Sequence, residues 1–255
     1  MTDREPGAIM MTTVLDTTSL PPEERTAAWV ETTALAAVTT RFRFPEPESF
    51  GARIAAVELG AVQLSTMSYS PLISYRSGRL IRQSDPEVYQ LAVITSGQQG
   101  IEQAGHRTLL EPGDIVFYDS SRPFEALAGV DGNRCSSLLV QFPRKLMPLP
   151  DKVVAPLCGE NLRGAAGVGH VFRQTLHALT DPDIELSEAD RARLGTTVVD
   201  LAAAVVAGHI ERTSALPPES HTSALYHRMR DFISRNLHDP ALKPAAVAEA
   251  HNPSR

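Results

Sequence analysis

The chain has 255 residues, 42% of them hydrophobic, and a formal net charge of −6. That is enough apolar sequence to bury the core of one large domain with appendages. The acidic balance excludes a generally basic nucleic-acid binder, though not a small basic module at one end.

Cys135 and Cys158 are too far apart for a CxxC motif and too few for a disulfide framework, which fits a reducing cytoplasm. The N-terminus carries charge and no long apolar stretch, so it does not read as a signal peptide. No run of about 18 apolar residues predicts a membrane span.

Residues 1–18 are expected to be disordered. A helix follows over about 20–38. Ser19 can cap it, proline suits its first turn, and Glu23 and Glu24 favour its positive end. Ala28, Trp29, Leu35 and Val38 are its apolar positions, with the lone tryptophan read as a packing anchor.

From Phe42 to Phe142 the pattern becomes strand-like. Residues 52–70 read as two strands around Gly60, and 88–97, 99–110, 114–119 and 135–142 follow. Beta-branched and aromatic residues favour strands, while Gly105, Gly113 and Gly132 mark turns. About seven to nine short strands so separated predict an antiparallel barrel, which can enclose a small molecule. After Phe142 the character is helical over 168–179 and 187–212. Ser187 and Asp190 resemble a capping box, and Leu194, Val198, Leu201 and Val205 form one stripe. Residues 213–221 read as a linker around Pro217-Pro218, and a basic helix is expected from about 222 to 237. The fold class is therefore α+β: an antiparallel barrel with an N-terminal helix and a C-terminal helical segment.

A barrel of this kind invites a metal-enzyme reading, but the residues do not support one. A metal site built from an HxH pair, a glutamate and a later histidine needs imidazoles on the early strands. No histidine precedes His106, and the positions for the pair offer Arg82, Gln83 and Ser84. His106 beside Gly105 reads as an exposed turn residue. No GxSxG elbow, phosphate-cradling glycine loop or dinucleotide fingerprint is present. No metal, cofactor or catalytic residue is predicted. A ligand pocket needs a few placed polar groups in an apolar wall. Gln90 in an apolar strand and Tyr118 at a strand end are the first candidates, with Arg82 and Tyr89 beside them. Arg122 is read as holding its turn by pairing with Asp119 or Glu125.

Four segments in order carry a resemblance: LPPEER…W (20–29), SDPEVYQL (84–91), PGD with FYDSSRPFE (112–125) and QFPRKLMPLP (141–150). Together they resemble the sensor part of AraC/XylS-type transcription regulators, of the actinobacterial type with a cupin-like ligand-binding domain. The resemblance implies a ligand-binding domain over 19–155, a helical linker and dimerisation segment over 160–212, and the opening of a helix-turn-helix DNA-binding domain over 222–255. It also implies a small-molecule effector and a homodimer, or a heterodimer with full-length relatives.

The family's recognition helix would begin near Ser254, where this sequence reads Asn252-Pro253-Ser254-Arg255. Arg228, Arg235, Ser254 and Arg255 are the positions matching the DNA-binding part, and DNA binding by this chain is expected to be weak or absent. The alternatives are a metal-free cupin-type enzyme, and an interaction protein forming inactive mixed dimers.

Overall fold

The structure, a computed structural model, describes residues 11–181, 183–214 and Lys243. The chain divides into two units, Met1–Ala207 and Gly208–Arg255. The expectations for residues 215–255, including Arg228, Arg235, Ser254 and Arg255, lie outside the described residues, Lys243 apart.

The described strands are β1 (Thr12–Asp16), β2 (Arg41–Arg43), β3 (Ala52–Leu59), β4 (Val62–Tyr69), β5 (Leu72–Arg76), β6 (Val88–Ser96), β7 (Gln99–Gln103), β8 (His106–Leu110), β9 (Ile115–Asp119), β10 (Phe124–Ala128) and β11 (Cys135–Pro143). They form a six-stranded sheet, β1-β3-β4-β11-β6-β9, and a five-stranded sheet, β2-β5-β10-β7-β8. Every strand pairing is antiparallel. The α+β barrel is as expected, with more strands: ten, β2 to β11, occupy the region where seven to nine were read.

Alternation explains the layers. Along β6, Gln90, Ala92 and Ile94 point to the space between the sheets, and Tyr89, Leu91 and Val93 point the other way. Those three are also fully buried, so the six-stranded sheet is covered on both faces. Its outer face meets the segments after β11. These include α3 (Asp151–Val154), reached by the Tyr89 hydroxyl; α4 (Gly167–Leu179) and α5 (Glu188–Ser214) follow it in the chain. The open edge of β9 is closed by residues 159–162, through Gly159 N to Phe117 O and Leu162 N to Ile115 O, both at 2.8 Å.

The N-terminal helix α1 runs Pro22–Ala36. Pro22 stands at its first position, where a missing N–H costs nothing, and Glu23 and Glu24 occupy its first turn. Trp29 is buried in an aromatic cluster with Phe42, Phe50 and Tyr69. Leu35, expected on the same face, is 84% exposed.

Several expectations are corrected. Residues 12–18 are not disordered. Strand β1 pairs with β3, and Thr17 exchanges hydrogen bonds with the Ala52 backbone, because an extended segment can close the exposed edge of β3. Arg82 does not lie on a strand. It is exposed on the short helix α2 (Gly78–Gln83), whose N-cap is Ser77.

His106 is not an exposed turn residue either. It opens β8, and its Nε2 lies 2.7 Å from the Pro156 carbonyl and 3.3 Å from Glu160. The hairpin turn is Ala104-Gly105 instead, both at positive φ as a two-residue turn requires.

Ser187 caps α5 as expected, with Asp190 N 3.1 Å from its Oγ. Helix α5 is long and apolar enough to cross a membrane by composition. Its Val198, Val199, Ala202, Val205 and Val206 are buried within the chain, as in a core helix. The stripe Leu194, Val198, Leu201 and Val205 is therefore not a bare surface awaiting a partner: Val198 and Val205 are fully covered and the other two half-buried.

Candidate functional site

One cavity of about 130 Å³ opens between the two sheets. Its walls come from inward residues of β2 and of β4 to β11, and α1 with the segment after it closes one side through Trp29, Thr33, Ala37 and Val38. None of its lining residues is Asp, Glu, Lys, Arg or His. The walls are rich in rings: Trp29, Phe42, Tyr69, Tyr118 and Phe124.

The polar groups are ordered by strand register. Gln63 on β4 stands opposite Gln141 on β11, Gln141 opposite Gln90 on β6, and Gln90 opposite Tyr118 on β9. Three glutamines and a tyrosine thus share one row across four strands. Gln90 Nε2 donates to Gln141 Oε1 at 2.6 Å, and Gln141 Nε2 donates to the Ala36 carbonyl at 2.9 Å. Gln63 Nε2 donates to the same carbonyl at 2.6 Å. Ala36 is the last residue of α1, so its carbonyl has no intrahelical partner, and the row ties helix to sheet.

Two polar atoms of cavity-lining residues are buried without a hydrogen-bond partner: Trp29 Nε1 and Gln90 Oε1. Each costs about 1–3 kcal/mol in an empty site. Other lining groups are satisfied: Tyr69 donates to Gln99 Oε1 at 3.0 Å, and Gln99 Nε2 to the Ser136 carbonyl at 3.2 Å. Burial pushes the Tyr69 phenol up to about 12 and raises Tyr118 as well, so both are neutral at physiological pH.

The structure brings Gln90 and Tyr118 into this cavity and leaves the other two candidates outside it. Tyr89 faces the opposite side of the sheet, packs at an angle on Phe117 and edge-on to Phe142, and donates to Asp151 at 2.9 Å. Arg82 is on α2 at the surface. Arg122 does pair with Asp119, at 3.3 Å, and Arg144 joins from 3.5 Å. Trp29 was missed as a lining residue, since nothing in its sequence context separates a packing tryptophan from one with an unpaired Nε1. Gln141, in the apolar run LLVQF, carried the same signal as Gln90 and was not read. Among the described residues no group of three or more His, Cys, Asp or Glu side chains is arranged to hold a metal ion.

An antiparallel two-sheet barrel with an apolar, ring-lined chamber and a few fixed polar groups has the cupin-like form of a ligand-binding domain. The chain belongs to the AraC-binding-like domain family, whose profile matches residues 29–207. It is the ligand-sensing domain of an AraC-type transcription regulator.

Over 239 residues the chain is 24% identical to the transcriptional activator NphR of a Rhodococcus species, covering 92% of this chain and 70% of that one. It is 26% identical over 249 residues to an uncharacterized protein in the nit 5′ region of Bacillus sp. strain OxB-1, covering 94% and 92%. The crystal structure of the AraC-like transcriptional activator CuxR superposes with a TM-score of 0.67 at 18% identity, over 94% of this chain and 83% of that one.

Proposed function

We propose that the chain senses a small molecule held in the cavity between the sheets and acts in the cytoplasm as a regulator, not an enzyme. The observation carrying this reading is one chamber that combines apolar walls with an unpaired buried donor on Trp29 and an unpaired buried acceptor on Gln90. Such groups are few in folded proteins, and a ligand in the chamber is one partner that can satisfy them. Binding energy spent at Gln90 is also in contact, through Gln141, with the end of α1. Occupancy can thereby bias the position of that helix, as a sensor requires.

Neither alternative gains from a specific observation. The cavity presents no charged residue to act as acid, base or nucleophile. The apolar stripe of α5, in the segment that the resemblance gives to dimerisation, is half to fully covered within the chain. The domain layout proposed is a sensor barrel over 19–155 followed by the helical segment 160–212.

A thermal-shift screen of small molecules on the purified chain tests the reading. Ligands that raise Tm should lose their effect in Ala126→Phe, which fills the chamber. Hits unaffected by that substitution would place the effector elsewhere.

A further inference from the structure

We infer that the cavity takes an uncharged, ring-sized molecule bearing both a hydrogen-bond acceptor for Trp29 Nε1 and a hydrogen-bond donor for Gln90 Oε1. The inference rests on the cavity being the sensing site and adds the chemistry of what is sensed.

The polarity of the amide row makes the demand specific. A carboxamide can usually be turned over, exchanging donor for acceptor. Here it cannot, because the row ends on a backbone carbonyl. The Ala36 oxygen can only accept, so Gln141 must present its Nε2 there, 2.9 Å away. That leaves Gln141 Oε1 facing Gln90, which must answer with its own Nε2, 2.6 Å away. Gln90 Oε1 is left over, unpaired and covered by its neighbours in the empty chamber, so a ligand reaches it only by moving them aside. A ligand meeting it must donate. Indole Nε1–H is a donor and nothing else, so a ligand meeting Trp29 must accept.

Charge and size follow from the walls. No lining residue is charged, and an ion brought there would lose its hydration without a counter-charge. A cavity of about 130 Å³ compares with the about 150 Å³ of apolar space that holds a benzene molecule. Rings on several walls suit an aromatic ligand by stacked or edge-on contact. The Tyr118 hydroxyl, which makes no hydrogen bond among the described residues, can add a contact of either sense.

Calorimetric titration of the full chain at pH 7.5 (roughly; any pH at which benzoic acid is ionised) with phenol, benzyl alcohol, toluene and benzoate tests this. The expected result is that phenol or benzyl alcohol binds at least about tenfold more tightly than toluene and that benzoate does not bind. Gln90→Met and Trp29→Phe should each shrink that advantage while toluene binding persists. If Trp29→Phe does not fold, since Trp29 packs on Phe42, Phe50 and Tyr69, Gln90→Met carries the test alone.

Benzoate binding as tightly as phenol would overturn the inference, and so would an alcohol advantage that survives Gln90→Met. Rejection of all four probes would overturn it too. A different ligand whose binding is lost in Ala126→Phe would then still uphold the cavity as the sensing site. Binding of the probes that survives Ala126→Phe would sink both.

Discussion

Gly195 of α5 lies against the Leu59 carbonyl of β3 so closely that a Cβ would collide with the carbonyl oxygen. One turn earlier, Ala192 faces Gly60 in the β3–β4 turn, where an added Cβ would come within 3.3 Å of the Ala192 Cα. The helix therefore docks on this hairpin backbone to backbone, with no side chain to yield. Glycine inside a helix normally costs about 1 kcal/mol relative to alanine, so an exposed Gly→Ala change stabilises. Here the sign should reverse. Gly195→Ala is expected to destabilise by about 1–3 kcal/mol, read as a lower urea midpoint. Gly208→Ala, whose Cβ meets only the end of the flexible Arg212 side chain at 3.3 Å, should be neutral or mildly stabilising.

Arg76 is fully buried and donates to three carbonyls: Ser120 and Thr39 at 2.6 Å, and Ser84 at 2.7 Å. It ties the end of β5 to the segments before β2, after α2 and after β9. Arg76→Met fills similar space and leaves three acceptors unpaired. The expected loss is about 3 kcal/mol or more, measured by chemical denaturation. Arg76→Lys should recover only part of it, because one ammonium cannot span the fork.

The Tyr89 hydroxyl, and then the Arg144 guanidinium, hold the Asp151 carboxyl below the usual carboxylate value of 3.8 against a small opposing effect of burial. A carboxylate whose folded pKa is depressed adds stability above its unfolded pKa and loses it as pH falls through the folded one. Tyr89→Phe should move the Asp151 titration, followed by carboxyl NMR, up toward 3.8. The part of the acid-side loss of stability that Asp151 contributes should flatten with it. Since Asp151 is mostly exposed, the titration is the more sensitive readout.

Cys135 and Cys158 are both fully buried. Burial pushes the Cys158 thiol up to about 12 and raises Cys135 as well. Thiolate is the reactive species, so neither should react with an aromatic disulfide reagent at pH 8 (roughly, below both thiol values) while the protein is folded. Both should react on addition of denaturant. Stoichiometric labelling of the native chain would contradict the packing around them.

The barrel was legible because its longest strands, β3, β4, β6 and β11, and the apolar β9 alternate or carry continuous apolar runs, and all five were read within a few residues. The strands that escaped, β1, β2, β5 and β10, have five residues or fewer, and only β5 alternates cleanly. Strand β2 is three residues, two of them exposed arginines, and β10 reads FEALA, which is as good a helix as a strand. Both exist because neighbours pair with them, and tertiary pairing leaves no local mark.

The site was half legible for a geometric reason. Tyr89 and Gln90 are consecutive in one strand, and adjacent side chains face opposite ways. Both could not line one chamber, so choosing both guaranteed one miss. Arg82 was misplaced because RLIRQ was read without the Ser77-Gly78 start ahead of it, and Ser77 does accept from Leu80 N.

The directional amide row also limits how this sequence can drift. Position 141 needs a donor for Ala36 and an acceptor for Gln90 on a side chain of one length. Gln141→Glu, a change of a single atom and the natural product of deamidation, replaces the donor with an oxygen and sets a carboxylate against a carbonyl. Gln141→Met offers neither group, and Gln141→Asn is too short to reach both. Ageing of this one amide would therefore cost the chain stability and, with it, the link between the chamber and the end of α1.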